Sequence, residues 1–325
     1  MNIKRTAQII TNNVLIQETV RYDIEKLFPT LGKYIKGEEN NIFTNVLGET
    51  IEISVQQTEN ETADLLKIVL DGNSHAARIL AAEVHRTISL SDINVGNNSI
   101  PEDIHLDTDN LGIWIDPIDS TAEYIHGNES NDDDDDIHVT GLRCVTVLIG
   151  GYNKDTGVPV IGVVNQPFHQ QIGTRWQGKC FWGLSNSELD SSSLQDSTDR
   201  TNIVTISKIE TKVIKTKLKE AGFTLIEASG AGYKLLTVIT GLADAYIVSQ
   251  GTTFQWDICG PHAILRSIGG GLYDYAKIVE GEKVEMNYKD NVSGDSKMNK
   301  YCNKNGLVAT KNEEVLLHIS NILRK

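Results

Sequence analysis

The 325-residue sequence predicts an α/β protein of α+β character, with a largely antiparallel sheet region over residues 1–190 and a mixed α/β sheet region over 200–325. Three observations carry that expectation. Short apolar runs follow one another at 142–149, 158–164, 171–176 and 179–183, separated by turn residues such as Lys154-Asp155-Thr156-Gly157 and Gln177-Gly178, which is the pattern of an antiparallel meander. Beyond residue 200 strand-like and helix-like segments alternate, implying a second sheet with helix cover. Between the two, 185–199 is rich in Ser and Asp with few apolar residues and marks the expected boundary.

Taken in order, Ile16, Val20, Ile24 and Leu27 recur at helical spacing and predict a helix that stops near Phe28-Pro29. A short strand around Tyr34 and Ile35 delivers Gly37-Glu38-Glu39. Ile51, Ile53 and Val55 alternate with Glu52 and Ser54 as in a half-buried strand, and 62–70 and 74–86 read as helices. The acidic run at 132–136 reads as a solvated loop, because adjacent acids on a flexible loop are not preorganised for a metal. In the second region the expected elements are strands at 203–206, 224–227, 244–248 and 306–309, a lysine-rich helix at 210–221, and helices from Gly232 and after Pro261.

Composition excludes several function classes. The formal net charge is −14, from 44 acids against 30 bases, so the chain repels a nucleic-acid backbone. No apolar run reaches membrane-spanning length and the first thirteen residues lack a signal-peptide core, which predicts a cytoplasmic protein without a membrane partner. The four cysteines (Cys144, Cys180, Cys259, Cys302) show no Cys-x-x-Cys spacing and read as free thiols. A phosphorylated ligand would also be repelled by this charge unless metal ions or local lysines recruit it.

The segment most suggestive of chemistry is Leu111-Gly112-Ile113-Trp114-Ile115-Asp116-Pro117-Ile118-Asp119-Ser120-Thr121. Its apolar start predicts a buried strand that Pro117 interrupts, so the chain turns where Asp116 and Asp119 lie. Ser120 and Thr121 suit the start of a short helix whose N–H groups would face an anion held by the acids; a surface turn capped by Ser120 is the plainer alternative. Two further acids strengthen the metal reading. Glu38 follows a strand and a glycine, and Asp257 sits between Trp256 and Ile258 at the start of a helix, where an N-cap is its plainer role. Carboxylates with backbone carbonyls make hard oxygen sites suited to magnesium.

At these residues the sequence resembles the lithium-sensitive, magnesium-dependent phosphomonoesterase superfamily typified by the inositol monophosphatases. Gly37-Glu38-Glu39, Trp114-Ile115-Asp116-Pro117-Ile118-Asp119-Ser120-Thr121 and Trp256-Asp257 match its motifs in order. The segments Asn165-Gln166-Pro167-Phe168 and Gly230-Ala231-Gly232-Tyr233-Lys234 narrow the match to the branch that removes the 1-phosphate of small inositol polyphosphates, such as the 1,4-bisphosphate.

The resemblance implies an αβαβα layered sandwich. It also implies two or more Mg2+ ions, with Glu38, Asp116 and the Ile118 carbonyl at the first and Asp116, Asp119 and Asp257 at the second, and inhibition by Li+. Thr121 and Glu38 would orient the attacking water. The Ser120 and Thr121 N–H groups would cradle the phosphate, while Asp119, Gly230, Ala231 and Lys234 would contact the rest of a small phosphorylated substrate. Two departures stand out: Asn13 occupies the place of a family aspartate, and only about a dozen residues precede the matching part, so the family's opening helix is expected to be largely missing. A 3′(2′),5′-bisphosphate nucleotidase acting on adenosine 3′,5′-bisphosphate is the alternative, and an inositol phosphate-binding protein without turnover a third. The expected oligomeric state is a monomer.

Overall fold

The computed structural model describes residues 3–44, 48, 50–89, 106–129, 137–185, 190–194, 202–289 and 300–324. The acidic run at 132–136 lies outside them, as does most of the Ser- and Asp-rich stretch. The chain forms two compact units, Met1–Ile93 and Asn94–Lys325.

The first unit comprises α1 (Ile3–Leu27), β1 (Ile35–Gly37), β2 (Ile42–Thr44), β3 (Thr50–Glu52), α2 (Glu59–Val69) and α3 (Ser74–Val84), with β2 and β3 paired antiparallel. Helix α2 starts at a capping box: Thr58 Oγ1 accepts from Glu61 N (3.3 Å) and Glu61 Oε2 accepts from Thr58 N (3.0 Å). Leu15 packs with Leu66, Ala77 and Ala81, and Val14 with Ile53 and Val69. The face that α1 buries is therefore not centred on the apolar spacing read from the sequence. Leu27 is 73% exposed, whereas Asn13, Gln17 and Glu18 are buried. Those polar residues have partners to bury against: Gln17 Nε2 donates to the Glu39 carbonyl (3.1 Å), Glu39 N donates back to Gln17 Oε1 (3.0 Å), and Asn13 Nδ2 donates to Glu39 Oε1 (3.1 Å).

The second unit stacks two sheets about a helical layer. Its first sheet runs β4 (Leu111–Asp119), β5 (Thr146–Asn153), β6 (Pro159–Ile172), β7 (Arg175–Ser185) and β8 (Asp190–Ser192) in sequential antiparallel order, with α4 (Thr121–His126) after β4. This is the expected meander, but its β6–β7 turn falls at Gly173 (φ 62°), and Gln177-Gly178 lies inside β7.

The remaining elements are β9 (Ile203–Ile206), α5 (Lys212–Glu220), β10 (Thr224–Glu227), α6 (Ala231–Ile239), β11 (Ala245–Val248), α7 (Gln255–Ser267), β12 (Gly271–Asp274), α8 (Tyr275–Glu280), β13 (Leu307–Thr310) and α9 (Glu313–Leu323). The second sheet has the order β10-β9-β11-β13-β12, parallel among the first three and antiparallel at β13 and β12. Its strands β11 and β13 are buried on both faces, whereas the edge strand β10 is partly exposed. Tyr246 and Val248 join the core shared with α6 and α7, while Ala245 and Ile247 join a second core with α5, α8 and α9.

Both sheets thus lie in one compact unit, and the division between units falls at residues 93 and 94 rather than in 185–199. The cause is the shared helical layer. Helix α7 packs on β5, β6 and β7 so closely that a Cβ on Gly150 or Gly162 would collide with the Gly260 backbone, and one on Gly183 would come within 2.8 Å of Ile264 Cα. Part of the stretch read as a linker is also structured, since β8 pairs with β7. Among the described residues no helix is long and apolar enough to cross a membrane.

Candidate metal centre

Every residue of β4 is buried, as its apolar start predicts, but the strand runs on through Pro117 instead of stopping there. Pro117 has no N–H to give the ladder, and the register shifts at this point: Asp116 pairs with Leu148 and Asp119 with Thr146. Three steps on β4 answer two on β5. The extra residue is a bulge, and it inverts the alternation of faces, so side chains three apart converge.

The turn after it is set by side chain and backbone together. Ser120 takes the left-handed conformation (φ 70°, ψ 44°) without a capping bond from its hydroxyl, and α4 begins at Thr121. Asp116 Oδ1 accepts from Ile118 N (3.1 Å), and Thr121 Oγ1 donates to the Ile118 carbonyl (2.9 Å).

Asp257 arrives on α7. The helix starts earlier than expected, at Gln255, so Asp257 occupies its first turn instead of the cap. Its Oδ2 accepts from Phe254 N (2.8 Å), and Trp256 beside it stacks on Phe254 at a centroid distance of 4.7 Å. Pro261, four residues on, cannot donate to the Asp257 carbonyl as a helix interior normally would.

Asp116, Asp119 and Asp257 each offer a carboxylate oxygen within 4.8 Å of the others, and they are 2%, 9% and 8% exposed. Three carboxylates that close and that buried repel one another unless a cation neutralises them, and an all-oxygen donor set with the adjacent Ile118 carbonyl suits a hard divalent ion. The fit to such an ion is good on these residues alone.

Asp119 is also tied to α6. Its Oδ2 accepts from Gly232 N (2.9 Å) and Thr146 Oγ1 (3.3 Å), and its Oδ1 from Ala231 N (3.3 Å). Burial raises its pKa, opposed by the Lys234 charge and by these donors. Gly230, at φ 76°, lets the chain pass close: a Cβ there would lie 2.9 Å from both Asp119 Oδ2 and the Cys144 carbonyl. Lys234 is 5% exposed rather than a solvated helix lysine; its Nζ donates to the carbonyls of Ala228 (3.0 Å) and Gly230 (2.6 Å). Burial pulls its pKa down to about 8, with Asp119 the main opposing charge. Of the backbone around Gly230 and Ala231, expected to contact substrate, the Ala231 N–H and the Gly230 carbonyl are engaged within the protein.

Glu38 belongs to the first unit, where it follows β1, next to the Glu39 that Asn13 and Gln17 hold. The sequence reading missed two supports of the site. Thr146, one polar residue in an apolar strand, bonds Asp119, and Glu123 accepts from both Ser229 Oγ (2.8 Å) and Gly141 N (2.8 Å), fastening α4 to the loop before α6. Only the polar residue in the apolar run hinted at either. The four cysteines are free, with Cys144 and Cys259 buried. His262 is fully buried between Tyr288 Oη (3.0 Å) and Glu285 Oε1 (3.0 Å).

An α/β protein whose bulged strand and helix start bring three buried aspartates together is a candidate divalent-metal enzyme. The chain belongs to the inositol monophosphatase family, whose model matches residues 16–319. Among curated proteins, the mouse inositol polyphosphate 1-phosphatase is 42% identical over 91% of this chain and 80% of its own length. The human protein of that name is 40% identical over 94% and 82%. A 3′(2′),5′-bisphosphate nucleotidase 1 from Dictyostelium discoideum is 33% identical over 54% of this chain and 55% of its own. Among solved structures, an inositol monophosphatase from Zymomonas mobilis aligns over 98% of each chain at 15% identity with a TM-score of 0.46.

Proposed function

We propose that this chain is a magnesium-dependent phosphomonoesterase that removes the 1-phosphate of small inositol polyphosphates such as inositol 1,4-bisphosphate. The observation that carries the reading is the convergence of Asp116, Asp119 and Asp257, in a chain 40–42% identical to inositol polyphosphate 1-phosphatases over more than nine-tenths of its length. Asp116, Asp119 and Asp257 would hold one ion; Glu38, Asp116 and the Ile118 carbonyl another, with Glu38 assigned on its sequence motif. Divalent cations, when bound, supply neutralising charge for the phosphate and lower the pKa of water at the site.

The protein's own groups do the rest. Because Thr121 gives its hydroxyl proton to the Ile118 carbonyl, its oxygen lone pairs are left to accept from a water and hold it for in-line attack, with Glu38 as the second acceptor. The Ser120 and Thr121 N–H groups open the short α4 turn without an in-helix acceptor and would bond phosphate oxygens. Lys234 has a third N–H beyond its two carbonyl partners for a second phosphate on the substrate. Lithium inhibition, cytoplasmic location and a monomeric state belong to the same proposal.

The test is phosphate release from a panel containing inositol 1,4-bisphosphate and adenosine 3′,5′-bisphosphate, each with and without Mg2+. Magnesium-dependent release favouring the inositol substrate is expected. Preference for the adenosine substrate would transfer the assignment to a nucleotidase, and tight inositol phosphate binding with no release at high Mg2+ would leave a binding protein.

A further inference from the structure

The second unit contains a cavity of about 600 Å3 lined by Tyr233 and Thr237 of α6 and by Thr240 at its C-terminal cap, together with Arg143, His169 and Lys179. We propose that it binds a multiply phosphorylated small molecule at a site separate from the aspartate cluster.

Charge is the first support. The chain carries a net −14, yet among the described residues the cavity lining includes Arg143, Lys179, His138 and His169 and no carboxylate. Among the described residues neither Arg143 nor Lys179 has an ion-pair partner; each lies over an aromatic ring instead, Arg143 at 6.0 Å from Trp176 and Lys179 at 5.0 Å from Phe181. A cation packed on a ring keeps its N–H donors for a ligand.

Construction is the second. Gln166 is 5% exposed, and its Nε2 donates to the Arg143 carbonyl at 2.6 Å, an acceptor that settles which way the amide faces. Its Oε1 is then what meets His169 Nδ1 at 2.8 Å, so Nδ1 carries the proton of the neutral ring, and Nε2 can donate to a phosphate only once the ring is protonated. One buried amide therefore fixes both the Arg143 backbone and the His169 tautomer. Burial lowers the His169 pKa and the charges of Lys179, Arg143 and His138 lower it further, so these cations act on a common point that an anion would relieve.

Size selects the ligand class. The cavity falls in the range of small-molecule sites and is far larger than one inorganic phosphate needs, while the guanidinium and ammonium suit two phosphates on one molecule. The site also shares α6 with the aspartate cluster: Tyr233 lines the cavity, while the Ala231 and Gly232 N–H groups bond Asp119.

Titration calorimetry on the full chain in EDTA, with inositol hexakisphosphate and ATP as probes, tests the proposal. One saturable site for either probe is expected without metal, unchanged in Asp257→Asn. Arg143→Gln combined with Lys179→Gln should weaken it on the order of tenfold or more. Lys179→Gln alone, a change at a half-exposed residue, should weaken it in the same direction if the double variant fails to fold. The tighter of the two probes identifies the ring the site prefers. Absence of saturable binding, loss of it in Asp257→Asn, or indifference to the charge-removing variants would overturn the proposal.

Discussion

Asp257→Asn separates the electrostatics of the aspartate cluster from its packing. In metal-free protein, two carboxylates with oxygens within 4.8 Å of one another repel by roughly 3 kcal/mol at an effective dielectric of about 20. Asp257 takes part in two of the three pairs. Protonation already relieves some of this, because burial raises the Asp119 pKa, so the net gain from removing the Asp257 charge is on the order of 2 kcal/mol, or a few degrees in Tm. Asparagine keeps a side-chain oxygen for the Phe254 N–H, now 2.8 Å from Asp257 Oδ2, so the start of α7 is preserved. Asp257→Ala loses that acceptor as well and forfeits about 1 kcal/mol of the gain. Thermal melts in EDTA and across a Mg2+ series are the assay. The asparagine variant should melt above wild type without metal, gain less from Mg2+, and turn over substrate orders of magnitude more slowly. An asparagine variant that melts at or below wild type in EDTA, with an unchanged magnesium shift, would refute the idea that these three acids form a strained, cation-requiring cluster.

Thr121→Val removes the hydroxyl that bonds the Ile118 carbonyl at near-constant volume, and should lower kcat with little change in KM, while Thr121→Ser retains activity; equal kcat in both would dismiss the water-orienting role. Gly150→Ala and Gly162→Ala each drive a methyl into the Gly260 backbone and should destabilise the second unit by about 1–3 kcal/mol or more, read as a lowered Tm; an unchanged melt would mean α7 does not lie this close to the sheet. Acid stability should depend on His262 and Glu285. Burial holds the folded His262 pKa below its usual value, so its contribution is complete above about pH 6.5 and is lost as pH falls toward the folded value. Burial pushes the Glu285 carboxyl up, but hydrogen bonds and charge from His262 and Arg266 overcome this and hold it at about 2, so its contribution is present above pH 4.5 and fades between there and 2. In His262→Gln the fall in Tm just below pH 6.5 should flatten, and an identical pH profile would contradict the assignment.

Much of the second unit was legible because its strands are apolar and its turns polar. The run at 224–227 is β10, and the α/β alternation after residue 200 became a mixed sheet. Where periodicity misled, competing polar partners explain why. The apolar spacing Ile16, Val20, Ile24 and Leu27 lies beside the face α1 buries, because Glu39 offers Asn13 and Gln17 hydrogen bonds that make their burial inexpensive. Gln177-Gly178 looked like a turn, yet β7 runs through it since Gly173, with its positive φ, closes the hairpin first. The aspartates were found by residue type and motif. Their supports, Thr146 and Glu123, act through contacts to Asp119 and Ser229 that no local spacing encodes.

The convergence of the aspartates depends on several departures from regular structure that fall close together. On an ideal strand Asp116 and Asp119 would face opposite sides; the bulge at Pro117 brings them to one. Ser120 then adopts a left-handed backbone that β-branched or bulky residues avoid, turning the chain into α4 within one residue. The third acid comes from a helix that carries Pro261 in its interior and is bedded on Gly150 and Gly162, so α7 sits nearer the sheet than side chains would ordinarily allow. Each of these features departs from regular strand or helix geometry. Together they set three carboxylates within reach of one ion. That coincidence is the physical reason to read the cluster as a functional centre instead of as three separately capped acids.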